Sequence, residues 1–198
     1  MTVTVTEVFR RRAEPGAALA GDAGAIAAAC HAMAARFHRG GRLFTFGNGG
    51  AATDAQHVAV EFVHPVIVGK RALPALSLTG DVATLTGIGR SSGFDDIFAH
   101  QLRCFGGADD MAFGISPDGR CGNVLRGLES ARDLGMLTVA LAGGDGGALA
   151  GTADHVVTVP SADPRIVKEV HVTAYHMLWE LVHVFLEHPD VLAPEAVS

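Results

Sequence analysis

His57 and Glu61 stand four residues apart at the end of a stretch, Phe44 to Glu61, that reads as a buried strand, a glycine turn (Gly47-Asn48-Gly49-Gly50) and a helix. The i, i+4 spacing sets an imidazole and a carboxylate on one helix face, about 6 Å apart along the axis. A glycine turn opening onto a helix offers free backbone N–H groups to an anion or polar ligand. Proton transfer or metal binding beside a phosphorylated or hydroxylated substrate is the chemistry that fits. His-x-x-x-Glu is also common on ordinary helix surfaces, so position has to separate the two readings. Here the pair sits among Ala55, Val58, Ala59 and Val60. A carboxylate in that company is partly desolvated and becomes a stronger base.

The last helical stretch carries His171, His176, His183 and His188. Lys168 and His176 are eight residues apart, about 12 Å along a helix and roughly on one face. His176 stands beside Tyr175, Met177 and Leu178, which leaves it open between a core histidine bonded to backbone and a functional one. His183 and His188 read as surface or interface residues. A second polar glycine turn, Ser116-Pro117-Asp118-Gly119-Arg120-Cys121-Gly122-Asn123, has the shape of an anion cradle ahead of a helix. Pro117 brings no N–H to it and Asp118 is itself an anion, while Arg120 offers a positive charge. It reads equally as an ordinary strand-to-helix turn.

These residues need a scaffold, and the patterning of the chain supplies one. Residues 1–20 are weakly patterned, but from about Asp22 to His38 Ile26, Cys30, Met33, Ala34 and Phe37 recur at helical spacing until Gly40-Gly41. Strands are predicted at Arg42–Phe46, 74–79, Met111–Ile115, Leu137–Leu141 and His155–Val159. Helices are predicted at Ala51–Val63, Asp81–Ile88, Phe94–Cys104, about 123–134 and about Pro164–Glu187, with Gly89 to Gly93 as a glycine-rich break. Gly143-Gly144-Asp145-Gly146-Gly147 is a third glycine turn. Strands alternating with helices, each strand a continuous apolar run, indicate an α/β fold: a three-layer, doubly wound, five-stranded parallel sheet with an N-terminal helix. Ligands in such sheets sit beyond the carboxyl ends of the strands, where the glycine turns lie. One domain is expected over 1–198, with an N-terminal helical segment of about 1–40 and a core of about 41–188.

Composition narrows the function classes. A chain 48% hydrophobic and 18% charged is compact rather than disordered. The net charge of −6, without a Lys/Arg stripe, gives no reason to expect nucleic acid. No apolar run reaches the roughly 18 residues of a membrane span, and a signal peptide's basic start and apolar core are absent. Cys30, Cys104 and Cys121 share no metal-type spacing, so reduced thiols in a cytoplasm are expected.

From about Ile26 to Leu186 the chain resembles the sugar isomerase (SIS) domain family, and within it the phosphoheptose isomerases. The marks are Gly47-Asn48-Gly49-Gly50 with Asp54-Ala55-x-His57-x-x-x-Glu61, then Gly93-Phe94-x-Asp96-Ile97-Phe98 and Gly114-Ile115-Ser116-x-x-Gly119-x-x-x-Asn123-Val124. Asp145-Gly146-Gly147-x-x-Ala150-Gly151-Thr152-Ala153-Asp154 follows, and then Arg165-Ile166, Glu169, His171 and His176. The resemblance implies a flavodoxin-like SIS fold in a cytoplasmic homotetramer, with active sites at subunit interfaces and a phosphorylated sugar as partner. The implied reaction exchanges sedoheptulose 7-phosphate and glycero-manno-heptose 7-phosphate through an enediol. Glu61 would be the base between C1 and C2, and His176 the acid at the ring or carbonyl oxygen. Zinc is implied too, with His57, Glu61 and His176 as three of its usual ligands. Substrate contacts fall to Asn48, Gly49, Gly50, Ser91, Ser116, Asp118, Arg120, Cys121 and Lys168.

The chain departs from that family pattern at four places. Ala51 replaces a serine, Arg90-Ser91 an Asn-Asp pair, and Ser116–Cys121 the run Ser-Thr-Ser-Gly-Asn-Ser. Lys168 replaces the glutamine that is the fourth zinc ligand. A protonated amine cannot coordinate metal, but it can take the metal's place and pair with Glu61. Because His57, Glu61 and His176 remain while recognition residues change, the leading expectation is an isomerase on this or a related substrate. The alternatives are a non-catalytic SIS module that binds a protein partner, of the kind associated with the bacterial replication initiator, or senses a sugar phosphate, and a metal-binding protein without isomerase activity.

Overall fold

Each strand is a run of apolar residues because both of its faces are covered. In the computed structural model, which describes residues 4–192, the strands are β1 (Leu43–Gly47), β2 (Ala75–Ser77), β3 (Met111–Ser116), β4 (Leu137–Gly143) and β5 (His155–Val159). They form one parallel sheet in the order β2-β1-β3-β4-β5. The helices are α1 (Val5–Ala18), α2 (Ala23–His38), α3 (Gly50–Val63), α4 (Val82–Ser92), α5 (Ile97–Phe105), α6 (Gly122–Asp133) and α7 (Pro164–Leu186). Leu43 of β1 lies between Ala75 of β2 and Met111 of β3. The winding therefore reverses between β1 and β3, which opens the crevice where such sheets hold ligands.

Alternation along each strand decides which helices it meets. Leu43, Met111, Phe113, Val139 and Leu141 join Phe37, Phe62, Tyr175 and Trp179 on the face covered by α2, α3 and α7. Phe44, Phe46, Ala112, Ala140 and Ala142 join Phe98, Leu102, Val124 and Leu128 on the face covered by α5 and α6. Strand residues on that second face are often small because α6 comes close. A Cβ on Gly114 would lie 3.0 Å from both Val124 and Leu128. Burial of each large apolar side chain contributes about 1.5–3 kcal/mol.

Helix α7 starts where Asp163 accepts the Arg165 N–H and Pro164 fills the first turn. The Arg165 side chain and N–H hold the Asp163 carboxyl well below the usual carboxylate range. Residues 1–20, weakly patterned in sequence, hold α1, capped by the Thr4 hydroxyl accepting the Glu7 N–H. Pro15 is the residue α1 buries, so it has little apolar stripe to read. The break expected at Gly89–Gly93 lies mostly inside α4, which the Asp81 carboxylate caps and which ends only at Gly93, φ +91. Interior glycines cost about 1 kcal/mol each and do not by themselves end a helix. The helical run Val5–His38 is long and apolar enough in composition to cross a membrane, against the expectation that no stretch is. Its apolarity has a local cause, since α2 buries Ile26, Ala29, Cys30, Met33, Ala34 and Phe37 in the core. All three cysteines are free thiols, and burial pushes that of Cys30 up to about 12.

Candidate active site

Helices α3 and α7 lie side by side and climb in step. Three of the hydrogen bonds that cross their seam join residues 118 apart in the chain. Lys168 Nζ donates to the Gly50 carbonyl at 3.0 Å, the Tyr175 hydroxyl meets His57 Nδ1 at 2.8 Å, and Trp179 Nε1 donates to the Glu61 carbonyl at 2.8 Å. A constant offset requires the helices to run in the same direction, so the contacts form rungs from the glycine turn downward.

His57, Glu61 and His176 gather on the lower rungs, with one ligand-type atom of each within 4.8 Å of the others. His57 Nε2 is 3.1 Å from Glu61 Oε1, and the two imidazoles meet edge to face with centroids 5.0 Å apart. Glu61 is only 8% exposed, and its other oxygen, Oε2, is buried without a hydrogen-bond partner. Leaving a buried acceptor unsatisfied costs about 1–3 kcal/mol, so this atom is placed for a ligand, whether proton, substrate hydroxyl or cation. His176 Nδ1 lies 2.7 Å from the Val172 carbonyl. Only an N–H can donate there, which leaves the Nε2 lone pair of the neutral ring free. Two imidazoles and a carboxylate with a free oxygen are a donor set that fits Zn²⁺.

Lys168 does not pair with Glu61, contrary to the expectation from sequence. Its ammonium bonds Asp54 Oδ1 at 2.6 Å as well as the Gly50 carbonyl. The cause is the register: Glu61 lies eleven residues below Gly50 on α3, about 16 Å along the axis and beyond a lysine's reach. Asp54, 6% exposed, is the carboxylate at the right height. His171 is buried with Nε2 on the Ala142 carbonyl, and that burial holds it below its ordinary value. His183, expected at the surface or an interface, is instead buried within the chain, its two nitrogens on the Trp179 and Arg71 carbonyls.

Above the rungs, Asn48 and Asn123 exchange side-chain amide bonds of 2.7 and 2.9 Å, tying the turn after β1 to the turn after β3. Gly49 and Gly50 sit beside Asn48, with Gly49 at φ +55. The second turn is closed on itself. Asp118 Oδ1 accepts the Ser116 hydroxyl at 3.2 Å and the Arg120 N–H at 3.0 Å, while Ser116 Oγ accepts the Cys121 N–H. The Arg120 guanidinium reaches Asp145 and the Asp118 carbonyl, on the wall of a cavity that Asp118, Cys121 and Gly144 also line. Gly119, at φ +67, locks this turn onto the next, because a Cβ there would lie 2.0 Å from the Gly146 carbonyl oxygen. Ser91 stays apart from the cluster within the chain, in a cleft between α4 and α5 with His100 and Gln101.

The sequence names Asp54 only as a mark of the resemblance and Tyr175 only as a neighbour of His176, and gives neither a role in the site. Tyr175 is 2% exposed, and burial, with Asp54 and Glu61 adding to it, pushes its hydroxyl well above the ordinary phenol value. Its signal was adjacency to His176, which read only as a core neighbour.

Known proteins resemble this chain in sequence and in fold. Residues 16–143 match the family described as SIS domain. The chain is similar to the phosphoheptose isomerase of Desulfovibrio desulfuricans, 42% identical over 163 residues, 82% of this chain and 78% of that protein. Its similarity to the phosphoheptose isomerase of Solidesulfovibrio magneticus is 44% over 161 residues, 81% and 78% of the two chains. Among solved structures, a phosphoheptose isomerase from Francisella tularensis superposes with a TM-score of 0.86 at 34% identity, covering 91% of this chain and 96% of that one. The phosphoheptose isomerase of Neisseria gonorrhoeae gives 0.84 at 30% identity, with 90% and 96% covered.

Proposed function

The chain belongs to the SIS domain family, among its phosphoheptose isomerases, and we propose that it interconverts sedoheptulose 7-phosphate, or a related ketose phosphate, with the corresponding aldose phosphate. The observation that carries this reading is the buried Glu61 carboxylate with a partnerless Oε2 beside two imidazoles. In the ketose-to-aldose direction Glu61 takes a proton from C1, leaving an enediol, and returns it to C2. His176, fixed through Nδ1 to Val172, presents its bare Nε2 to the substrate oxygens, where it takes the proton of the C1 hydroxyl and delivers it to the C2 carbonyl oxygen. His57 orients the Glu61 carboxylate through Oε1. Zinc held by His57, Glu61 and His176 would supply Lewis-acid stabilisation of the charge that develops on the enediol oxygens.

We assign the substrate's polar atoms to Asn48, Gly49, Gly50 and Lys168 at the top of the seam, with Ser116, Asp118, Arg120 and Cys121 at the neighbouring turn. A cytoplasmic homotetramer with active sites between subunits completes the reading. Its support is Ser91, which can enter a site only from a neighbouring copy if it lies apart from its own cluster. The test is incubation of purified protein with sedoheptulose 7-phosphate, with and without added zinc, and detection of aldoheptose 7-phosphate. Glu61→Gln removes the base and is expected to lower kcat about 10²–10⁴-fold, as loss of an acting acid–base group does. Equal silence of wild type and Glu61→Gln on this and other ketose phosphates would sink the proposal.

A further inference from the structure

The two site histidines are held by partners of different kinds. His176 Nδ1 faces a backbone carbonyl, which only accepts, so that ring is locked as an Nδ1–H donor. His57 Nδ1 faces the Tyr175 hydroxyl, which can either donate or accept. We propose that Tyr175 is a positioning residue of the site. By reversing its hydrogen bond, it lets His57 present either Nε2–H to Glu61 or a bare Nε2 to a cation or to a proton leaving the substrate. The proposal rests on the isomerase reading for its purpose, though not for its geometry.

The geometry at His57 defines one of the two states. With Glu61 accepting through Oε1, the 3.1 Å contact to His57 Nε2 places the ring proton on Nε2. Nδ1 is then bare, and the Tyr175 O–H donates to it across 2.8 Å. When the Nε2 lone pair is needed, the ring proton must sit on Nδ1, and the Tyr175 oxygen turns to accept it. The tyrosine itself does not have to move. Its ring is 2% exposed, part of the core under α2 and α7, and meets His57 edge to face at 5.3 Å. The seam's constant register, fixed above by Lys168 and Gly50 and below by Trp179 and Glu61, keeps the hydroxyl at the height of His57. A phenylalanine would preserve that packing and lose both hydrogen-bond directions.

The experiment uses the full chain, with ¹⁵N-labelled histidine followed by long-range ¹H–¹⁵N correlation, first metal-free and then with zinc alone. Expected for His57 is an Nε2–H ring without metal and an Nδ1–H ring with zinc, while His176 stays Nδ1–H in both. In Tyr175→Phe, zinc affinity by competition with a chromophoric chelator is expected to fall about 10–100-fold, the usual effect of removing a ligand's outer partner. Under turnover its kcat falls with KM little changed. A His57 ring that keeps one tautomer in both states would overturn the proposal. So would a Tyr175→Phe zinc affinity within twofold of wild type. An inactive enzyme that still shows the tautomer change and the affinity loss would refute the isomerase reading and leave the role of Tyr175 standing.

Discussion

Asp118→Asn asks whether the turn after β3 is closed to anions by its own carboxylate. Asparagine keeps an oxygen to accept the Ser116 hydroxyl and the Arg120 N–H, now 3.2 and 3.0 Å from Asp118 Oδ1, so the turn holds its shape and loses one charge. A phosphate drawn to the Ser116 hydroxyl would compete with the carboxylate already bonded there and sit roughly 4–5 Å from it. Two unit charges at 4 Å in water interact by about 1 kcal/mol, so a phosphate carrying nearly two charges meets about 2 kcal/mol of repulsion. Salt at about 0.15 M, with a screening length near 8 Å, removes part of this. Relief of about 1–2 kcal/mol is a gain of roughly 5–30-fold in affinity. Calorimetric titration of wild type and variant with sedoheptulose 7-phosphate and with inorganic phosphate, at low and high salt, reads it directly. The gain should be larger at low salt. An affinity unchanged within twofold at low salt would show that no phosphate approaches this turn, and the argument from Asp118 would be wrong.

The interlock of the glycine turns predicts that Gly119→Ala costs about 2–4 kcal/mol, from a left-handed backbone plus a clash with the Gly146 carbonyl. Urea unfolding measures it, and a loss below 0.5 kcal/mol, roughly the effect of an ordinary surface change, would refute the interlock. His171 predicts a loss of stability in mild acid. Burial, with Lys168 adding to it and the Ala142 carbonyl and Asp54 opposing, depresses its proton affinity in the folded chain. The unfolded chain protonates near pH 6.5, so between that value and the depressed one it binds the extra proton and stability falls as pH falls. The slope is at most about 1.4 kcal/mol per pH unit. Urea midpoints between pH 7.5 and 5.5 should drop more steeply in wild type than in His171→Gln; parallel curves would contradict this.

What the sequence reveals here depends on the distance over which each feature is decided. The strands are runs of local apolarity, and β5 falls at His155–Val159, as patterning places it. His57 and Glu61 are legible because one helix turn sets their spacing. The partner of Lys168 is set at longer range, by helix direction and register. In a doubly wound parallel sheet every connecting helix runs antiparallel to the strands, so α3 and α7, on one face, must run parallel. Once His176 is level with His57, a lysine eight residues earlier is level with Gly50 and cannot descend to Glu61. Asp118 is different, because nothing in its spacing tells whether an exposed carboxylate turns outward or folds back onto Ser116. Two of the residues at which the sequence departs from the family pattern are neutralised where they stand, Lys168 by Asp54 and Asp118 by the donors of its own turn. Neither hydrogen-bonds to His57, Glu61 or His176. On the proposed reading, these changes bear on recognition at the two turns and not on the contacts among His57, Glu61 and His176 on the rungs below.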